Sequence, residues 1–160
     1  MGFRIGHGFD AHRLGEGRPL MLGGVSIPFE RGLLGHSDGD CAIHALCDAL
    51  LGAAALGDMG RHFPSSEPRW KGAPGRVFLE QVRRLITEAG WAVENLDVTV
   101  VAEAPLLSPH CEAMRKAVAD GLGLELHRVS VKAKSSDGLG AMGRGEGVAA
   151  FAVALLASNE

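Results

Sequence analysis

Hydrophobic and polar positions alternate from the start of the chain. Phe3, Ile5, His7 and Phe9 interleave with Arg4, Gly6 and Gly8, and that period of two predicts a strand ending near Asp10. Leu20-Met21-Leu22 and Val25-Ser26-Ile27 flank Gly23-Gly24, the pattern of a tight hairpin, and Pro28 confines its second arm to an edge. The period then changes. Ile43, Leu46, Cys47, Leu50, Leu51 and Ala54 recur at helical spacing, with Ser37 and Asp38 as candidate N-caps. The polar run over 60–72, broken by Pro64 and Pro68, predicts a surface loop, and a loop that long in a compact domain is more often functional or mobile than idle.

Phe78, Val82, Leu85, Ile86 and Ala89 predict a second amphipathic helix, closed by Gly90. Val98, Val100 and Ala102 alternate with Asp97, Thr99 and Val101, a strand up to Glu103. Pro109 opens a third helix that closes near Gly121 or Gly123. Val129, Val131 and Ala133 alternate with Ser130, Lys132 and Lys134, a further strand. The apolar segment 147–156 is rich in alanine, and its periodicity leaves helix and strand both open. With no repeat or linker, the elements predict one α/β sandwich, a mixed sheet with helices on a face, as a single domain over 1–160.

Composition narrows the function classes. The chain has 160 residues, of which 46% are hydrophobic and 22% charged, enough for one core and unlike a disordered segment. A net charge of -3 without a basic face argues against a nucleic-acid partner. Any anionic substrate must therefore be met by local cations. No run approaches the roughly 20 apolar residues of a membrane span, and the N-terminus lacks a signal-peptide core, so no membrane partner is expected. Cys41, Cys47 and Cys111 lack zinc-ribbon spacing and read as reduced small hydrophobes of a cytoplasmic protein.

Three clusters carry chemistry. Asp10 and His12, two apart on a strand, project from one side. His44 lies on the first long helix with Asp40 and Asp48 one turn to either side, and either aspartate could fix its tautomer. Three such ligands leave a fourth tetrahedral position open, the catalytic form of a zinc site. Alone, Asp-x-His is a short and common pattern, and a helical histidine is more often structural. His36-Ser37-Asp38-Gly39-Asp40 precedes a helix N-terminus, which suits phosphate; capping explains Ser37 and Asp38 but not His36. Lys132, Lys134, Ser135, Ser136 and Asp137 leave a strand end ahead of a glycine-rich stretch, which suits a diphosphate and its counter-cation. A flexible turn is the plain alternative, because the glycine spacing is not that of a Walker loop.

Taken together, the segments RIGHGFDAHR (4–13), GLLGHSDGDCAIHALCDALLGAAALGDMG (32–60), DVTVVAEAP (97–105), VSVKAKSSDGLG (129–140) and GRGEG (143–147) resemble the 2-C-methyl-D-erythritol 2,4-cyclodiphosphate synthase family. The resemblance runs nearly end to end and implies metal-assisted closure of a cyclic diphosphate with loss of CMP, in non-mevalonate isoprenoid biosynthesis. It implies zinc on Asp10, His12 and His44, and a second divalent ion, magnesium or manganese, on Asp137. It makes His36 and Ser135 the catalytic residues, and His36, Ser37, Asp58, Met59, Gly60 and Phe63 contacts for the substrate, alongside the metal ligands. Ala102, Ala104, Pro105, Leu106 and Leu107 would receive cytosine, while Lys134, Ser135, Ser136 and Asp137 would hold the diphosphate. Arg144 would lie near the axis of a homotrimer whose active sites sit between neighbours. The family's last segment is a strand, which gives a four-stranded main sheet beside the small hairpin. The chain departs from the family's usual residues at Asp137, commonly Glu, and at Leu106, commonly Lys. Hydrolysis of a nucleotide diphosphate and a non-catalytic trimeric binding module are the competing readings.

Overall fold

The computed structural model describes residues 2–159, so Met1 and Glu160 at the ends of the expected domain lie outside the described residues. Strands β1 (Phe3–Gly15), β4 (Gly32–Leu33), β5 (Trp91–Val101), β6 (Val129–Lys134) and β7 (Gly147–Ser158) form one sheet in the order β4-β1-β7-β5-β6. It is mixed: β1 and β5 each run antiparallel to β7, and β5 runs parallel to β6. Strands β2 (Leu20–Leu22) and β3 (Val25–Ile27) make the separate hairpin the Gly23-Gly24 pair predicts. Both glycines have positive φ, 58° and 77°, as a two-residue hairpin turn requires.

Four sequence expectations need correction. The main sheet has five strands, because β4 pairs Leu33 and Gly32 with Leu14 and Gly15 at the far end of β1. The first strand does not end near Asp10 but runs to Gly15; β7 is long enough to continue the ladder through His12↔Val148 and Arg13↔Gly147. The first helix, α1 (Cys41–Ala53), is capped by Asp40, not by Ser37 or Asp38. Finally, a 3₁₀ turn at Ser108–His110 takes up Pro109, and α4 (Cys111–Leu122) starts after it. The remaining helices are α2 (Met59–His62), α3 (Gly75–Glu88) and α5 (Gly140–Gly143). The polar run over 60–72 thus contains short helical turns.

Asp40 is fully buried and accepts N–H bonds from Ile43 in α1 and from Gly23 and Gly24 in the hairpin. Burial pushes its carboxyl above the ordinary range, while the N–H donors from Gly24 and Ile43 oppose the rise. One side chain therefore ties the start of α1 to the hairpin.

The helices cover one face of the sheet. On β1 that face is Gly6, Gly8, Asp10, His12 and Leu14, and on β7 it is Val148, Ala150, Ala152, Ala154 and Leu156. Small residues there let α1 lie directly on the strands through Ala45, Ala49 and Ala53. The alternating apolar residues of β1 point the other way: Phe3, Ile5 and Phe9 are exposed, beside Phe151 and Val153 of β7.

Candidate functional site

The close contact of α1 with β1 brings three donors together. Asp10 and His12 project from β1 toward the helix, and His44 projects from α1 to meet them. Asp10 Oδ2 lies 2.8 Å from His12 Nε2 and 3.0 Å from His44 Nδ1, and the two ring nitrogens are 3.3 Å apart. The three ligand atoms fall within 4.8 Å of one another, a spacing one ion could bridge.

The other nitrogen of each ring is engaged elsewhere. His12 Nδ1 donates to the Leu34 carbonyl at 2.6 Å, which leaves Nε2 to carry the lone pair when the ring is neutral. His44 Nε2 meets Ser37 Oγ at 3.1 Å, which leaves Nδ1. Such partners orient ligating imidazoles. Neither aspartate expected for His44 does this. Asp40 is committed to the backbone, and Asp48 accepts the Met59 N–H at 2.8 Å. The 35–37 loop that supplies Ser37 is held by Arg18, which donates to the Gly35 carbonyl at 2.7 Å and to the Ser37 carbonyl. Sequence reasoning missed Arg18 and the Leu34 carbonyl, because loop closure sets both partnerships and no local spacing announces them.

Burial alone would raise the Asp10 carboxyl, but hydrogen bonds from His12 and His44, with their charges, outweigh it and hold the group at about 2. The bond to Asp10 in turn raises the His12 imidazole against the effect of burial. The signs are opposite. Asp10 stabilises the fold above its unfolded pKa of about 3.9, and this is lost as pH falls through the depressed value. His12 stabilises it below about 6.5, and this is lost as pH rises through the raised value. An ion needs the neutral imidazole. Uptake of a divalent ion near neutral pH is therefore expected to release protons, with affinity climbing as pH rises beyond about 6.5. Calorimetry in two buffers of unlike ionisation enthalpy measures the release, and a value of zero would contradict the coupling.

A cleft of about 250 Å³ opens on the three donors, and His36, Ser37, Met59, Gly60 and Phe63 also line it. Asp48, Ser65, Trp70 and Phe78 belong to the same wall, although the sequence assigned none of them to substrate. Trp70, Phe63 and Phe78 pack as an aromatic cluster against His44, with Phe78 and His44 centroids 5.9 Å apart. A second cleft, about 320 Å³, lies at the carboxyl ends of the parallel strands β5 and β6. Ala102, Pro105, Leu106, Leu107, Lys134 and Ser135 line it. The two clefts share no lining residue.

The structure leaves five expected residues outside both walls. Asp58 caps α2 by accepting the Arg61 N–H at 3.0 Å. Ala104 is exposed. Ser136 donates to the Leu139 carbonyl at 2.9 Å. Asp137 is exposed in a left-handed turn with φ 55°, a conformation aspartate tolerates better than most residues. Arg144 is exposed and pairs with Glu146 at 2.8 Å.

A model of the YgbB family matches residues 3–157. The chain belongs to the YgbB family. Its relatives include the 2-C-methyl-D-erythritol 2,4-cyclodiphosphate synthase of Laribacter hongkongensis, 59% identical over 159 residues, covering 99% of this chain and 98% of the relative. The Burkholderia thailandensis protein of the same name is 56% identical over 156 residues, covering 98% and 96%. Among solved structures, a bifunctional IspDF from Campylobacter jejuni superposes with a TM-score of 0.94 at 40% identity. That match takes in 98% of this chain but 42% of the longer one, so the YgbB unit corresponds to one part of it. A 2-C-methyl-D-erythritol 2,4-cyclodiphosphate synthase structure in its CDP-bound form gives 0.88 at 43% identity, covering 96% of this chain and all of that one. Among the described residues, no helix of this YgbB chain is long and apolar enough to cross a membrane.

Proposed function

We propose that this chain converts 4-diphosphocytidyl-2-C-methyl-D-erythritol 2-phosphate to 2-C-methyl-D-erythritol 2,4-cyclodiphosphate and CMP. It is then a phosphorus–oxygen lyase of non-mevalonate isoprenoid biosynthesis, with the whole chain as one catalytic domain. The observation that carries this is near-complete, 59% identity to a synthase of that name in a chain whose Asp10, His12 and His44 converge.

One carboxylate and two imidazoles, each ring oriented through its other nitrogen, suit zinc. An ion held there supplies Lewis-acid neutralisation of phosphate charge, worth several kcal/mol in the transition state. Magnesium or manganese on the substrate diphosphate is assigned to Asp137. The chain's own residues do the rest. An oxygen of the 2-phosphate attacks the β-phosphorus. The bond from that phosphorus to the bridging oxygen breaks, and the electron pair leaves with CMP. The attacking phosphate is already ionised, so no side chain need take a proton. His36 and Ser135 donate to the charge that builds on the phosphoryl oxygens, and Ser37 helps hold the phosphate.

Positioning supplies much of the remainder. Asp58, Met59, Gly60 and Phe63 hold the polyol end. Ala102, Ala104, Pro105, Leu106 and Leu107 receive cytosine, and Lys134, Ser135 and Ser136 take the diphosphate. Fixing both ends of one flexible molecule makes the attack effectively unimolecular, where effective molarities reach about 10⁵–10⁸ M.

The same reading makes the protein a cytoplasmic homotrimer with a site between each pair of neighbours and Arg144 near the axis. Two observations support it. The metal-ligand cleft and the 102–108 cleft have no residue in common, so a substrate spanning both chemistries suits a second copy. The outward sheet face carries Phe3, Ile5, Phe9, Phe151 and Val153, from 40% to 73% exposed, an apolar patch of the kind that meets a partner. Phosphorus NMR of the product tests the chemistry. Cyclisation gives two coupled resonances of a ring diphosphate, whereas open monophosphates would replace the cyclase with a hydrolase.

A further inference from the structure

We infer that Asp48 is a positioning residue that holds the Asp58–Gly60 turn at a fixed place relative to the metal ligands. This rests on the cyclisation reading and deepens it. Asp48 lies one helical turn after His44, and residues i and i+4 share a face of α1. Both line the cleft that opens on Asp10 and His12. Asp48 Oδ1 accepts the Met59 N–H at 2.8 Å. Met59 is the first residue of α2, a helix of only four residues, too short to hold itself in place. The Asp58 side chain turns inward to cap that helix at the Arg61 N–H. The His62 ring bonds the Leu56 carbonyl at 2.8 Å, which fixes the far end of α2 to the preceding loop, not to α1. The hydrogen bond to Asp48 therefore sets where Met59 and Gly60 stand along the wall.

The carboxylate is half-buried, and burial, with Asp58 and Asp10 nearby, raises it above the ordinary range. A charge kept there against that cost needs a return, and the part-buried Met59 N–H bond is the one the structure provides. The geometry asks of Asp48 an acceptor oxygen at this point, which an amide also has.

The test compares wild-type enzyme with Asp48→Asn and Asp48→Ala. KM and kcat for cyclisation, bound zinc, the melting temperature and the affinity for CDP, which lacks the polyol, are measured on each. Asp48→Ala is expected to raise KM up to about tenfold, as loss of one part-buried hydrogen bond does. Zinc content and CDP affinity are expected to stay within twofold of wild type. Asp48→Asn is expected to recover KM to within threefold. Equal loss in both variants would overturn the inference, as would a parallel fall in CDP affinity or zinc content. Absence of ring closure by the wild-type enzyme would count instead against the cyclisation reading.

Discussion

A His44→Ala protein is expected to lose cyclisation by at least about a thousandfold and most of its zinc, while remaining folded. His44 supplies one of three donors that meet within 4.8 Å, and its Nδ1 lies 3.0 Å from Asp10. Two donors remain, and the proposed site no longer holds its ion at catalytic concentrations. If the ion contributes several kcal/mol to the transition state, its loss translates to about a thousandfold or more at roughly 1.4 kcal/mol per tenfold. The fold should survive, because alanine is the best helix former and His44 is only partly buried, beside Phe78. Asp137→Ala should separate the two ions: it is exposed and far in sequence from the donor set, so turnover falls while zinc stays. Metal analysis, circular dichroism and product NMR on the same samples check both. Turnover that persists in zinc-stripped His44→Ala protein would sink the metal assignment.

The donor set was legible because its geometry is local to two elements. A spacing of two on a strand puts Asp10 and His12 on one side, and helical phase puts His44 with Asp48 on the one partly exposed stripe of α1. The hairpin was legible for a similar reason, since Gly23-Gly24 readily takes the positive φ that a two-residue turn between apolar runs needs. What failed to read was non-local. Asp40 and Asp48 stood at the right spacing from His44, yet more distant backbone donors claimed both carboxylates. Ser37 took the orienting role because Arg18, on a different segment, draws its loop inward. The end of the first strand was misplaced because its length is set by β7, more than a hundred residues later.

Hydropathy also misleads about which side of β1 is inside. Phe3, Ile5 and Phe9 look like the core face, but they are exposed, and the glycine side is buried. The reason is steric. A helix backbone can approach a strand this closely only where the strand offers no side chain, and a missing side chain carries no hydrophobic signal. The outward apolar stripe then needs a cover, which the homotrimer reading supplies.

That steric argument yields the second large effect: Gly8→Ala is expected to destabilise the protein by at least about 3 kcal/mol and to weaken zinc binding with it. A Cβ on Gly8 would stand 1.8 Å from the Ala45 carbonyl oxygen and 2.8 Å from the Ala49 nitrogen. At Gly6 the same atom would stand 1.9 Å from the Ala49 oxygen. These are backbone atoms of α1, so no rotamer change can relieve the clash and the helix itself must move. Gly8 has no positive φ, so the requirement is space and not torsion. His44 directly precedes Ala45, and Asp10 lies two residues beyond Gly8 on the same face. A shift large enough to admit a methyl group there therefore carries His44 away from its two partners. Gly52→Ala is the control. It lies within α1 with its nearest neighbour 4.0 Å from the added atom, so it should gain roughly 0.5–1 kcal/mol from helix propensity and leave zinc untouched. Denaturant midpoints and zinc titrations on the two variants measure the contrast. If Gly8→Ala kept both the wild-type midpoint and zinc affinity, the direct contact of helix and strand that assembles the donor set would be wrong.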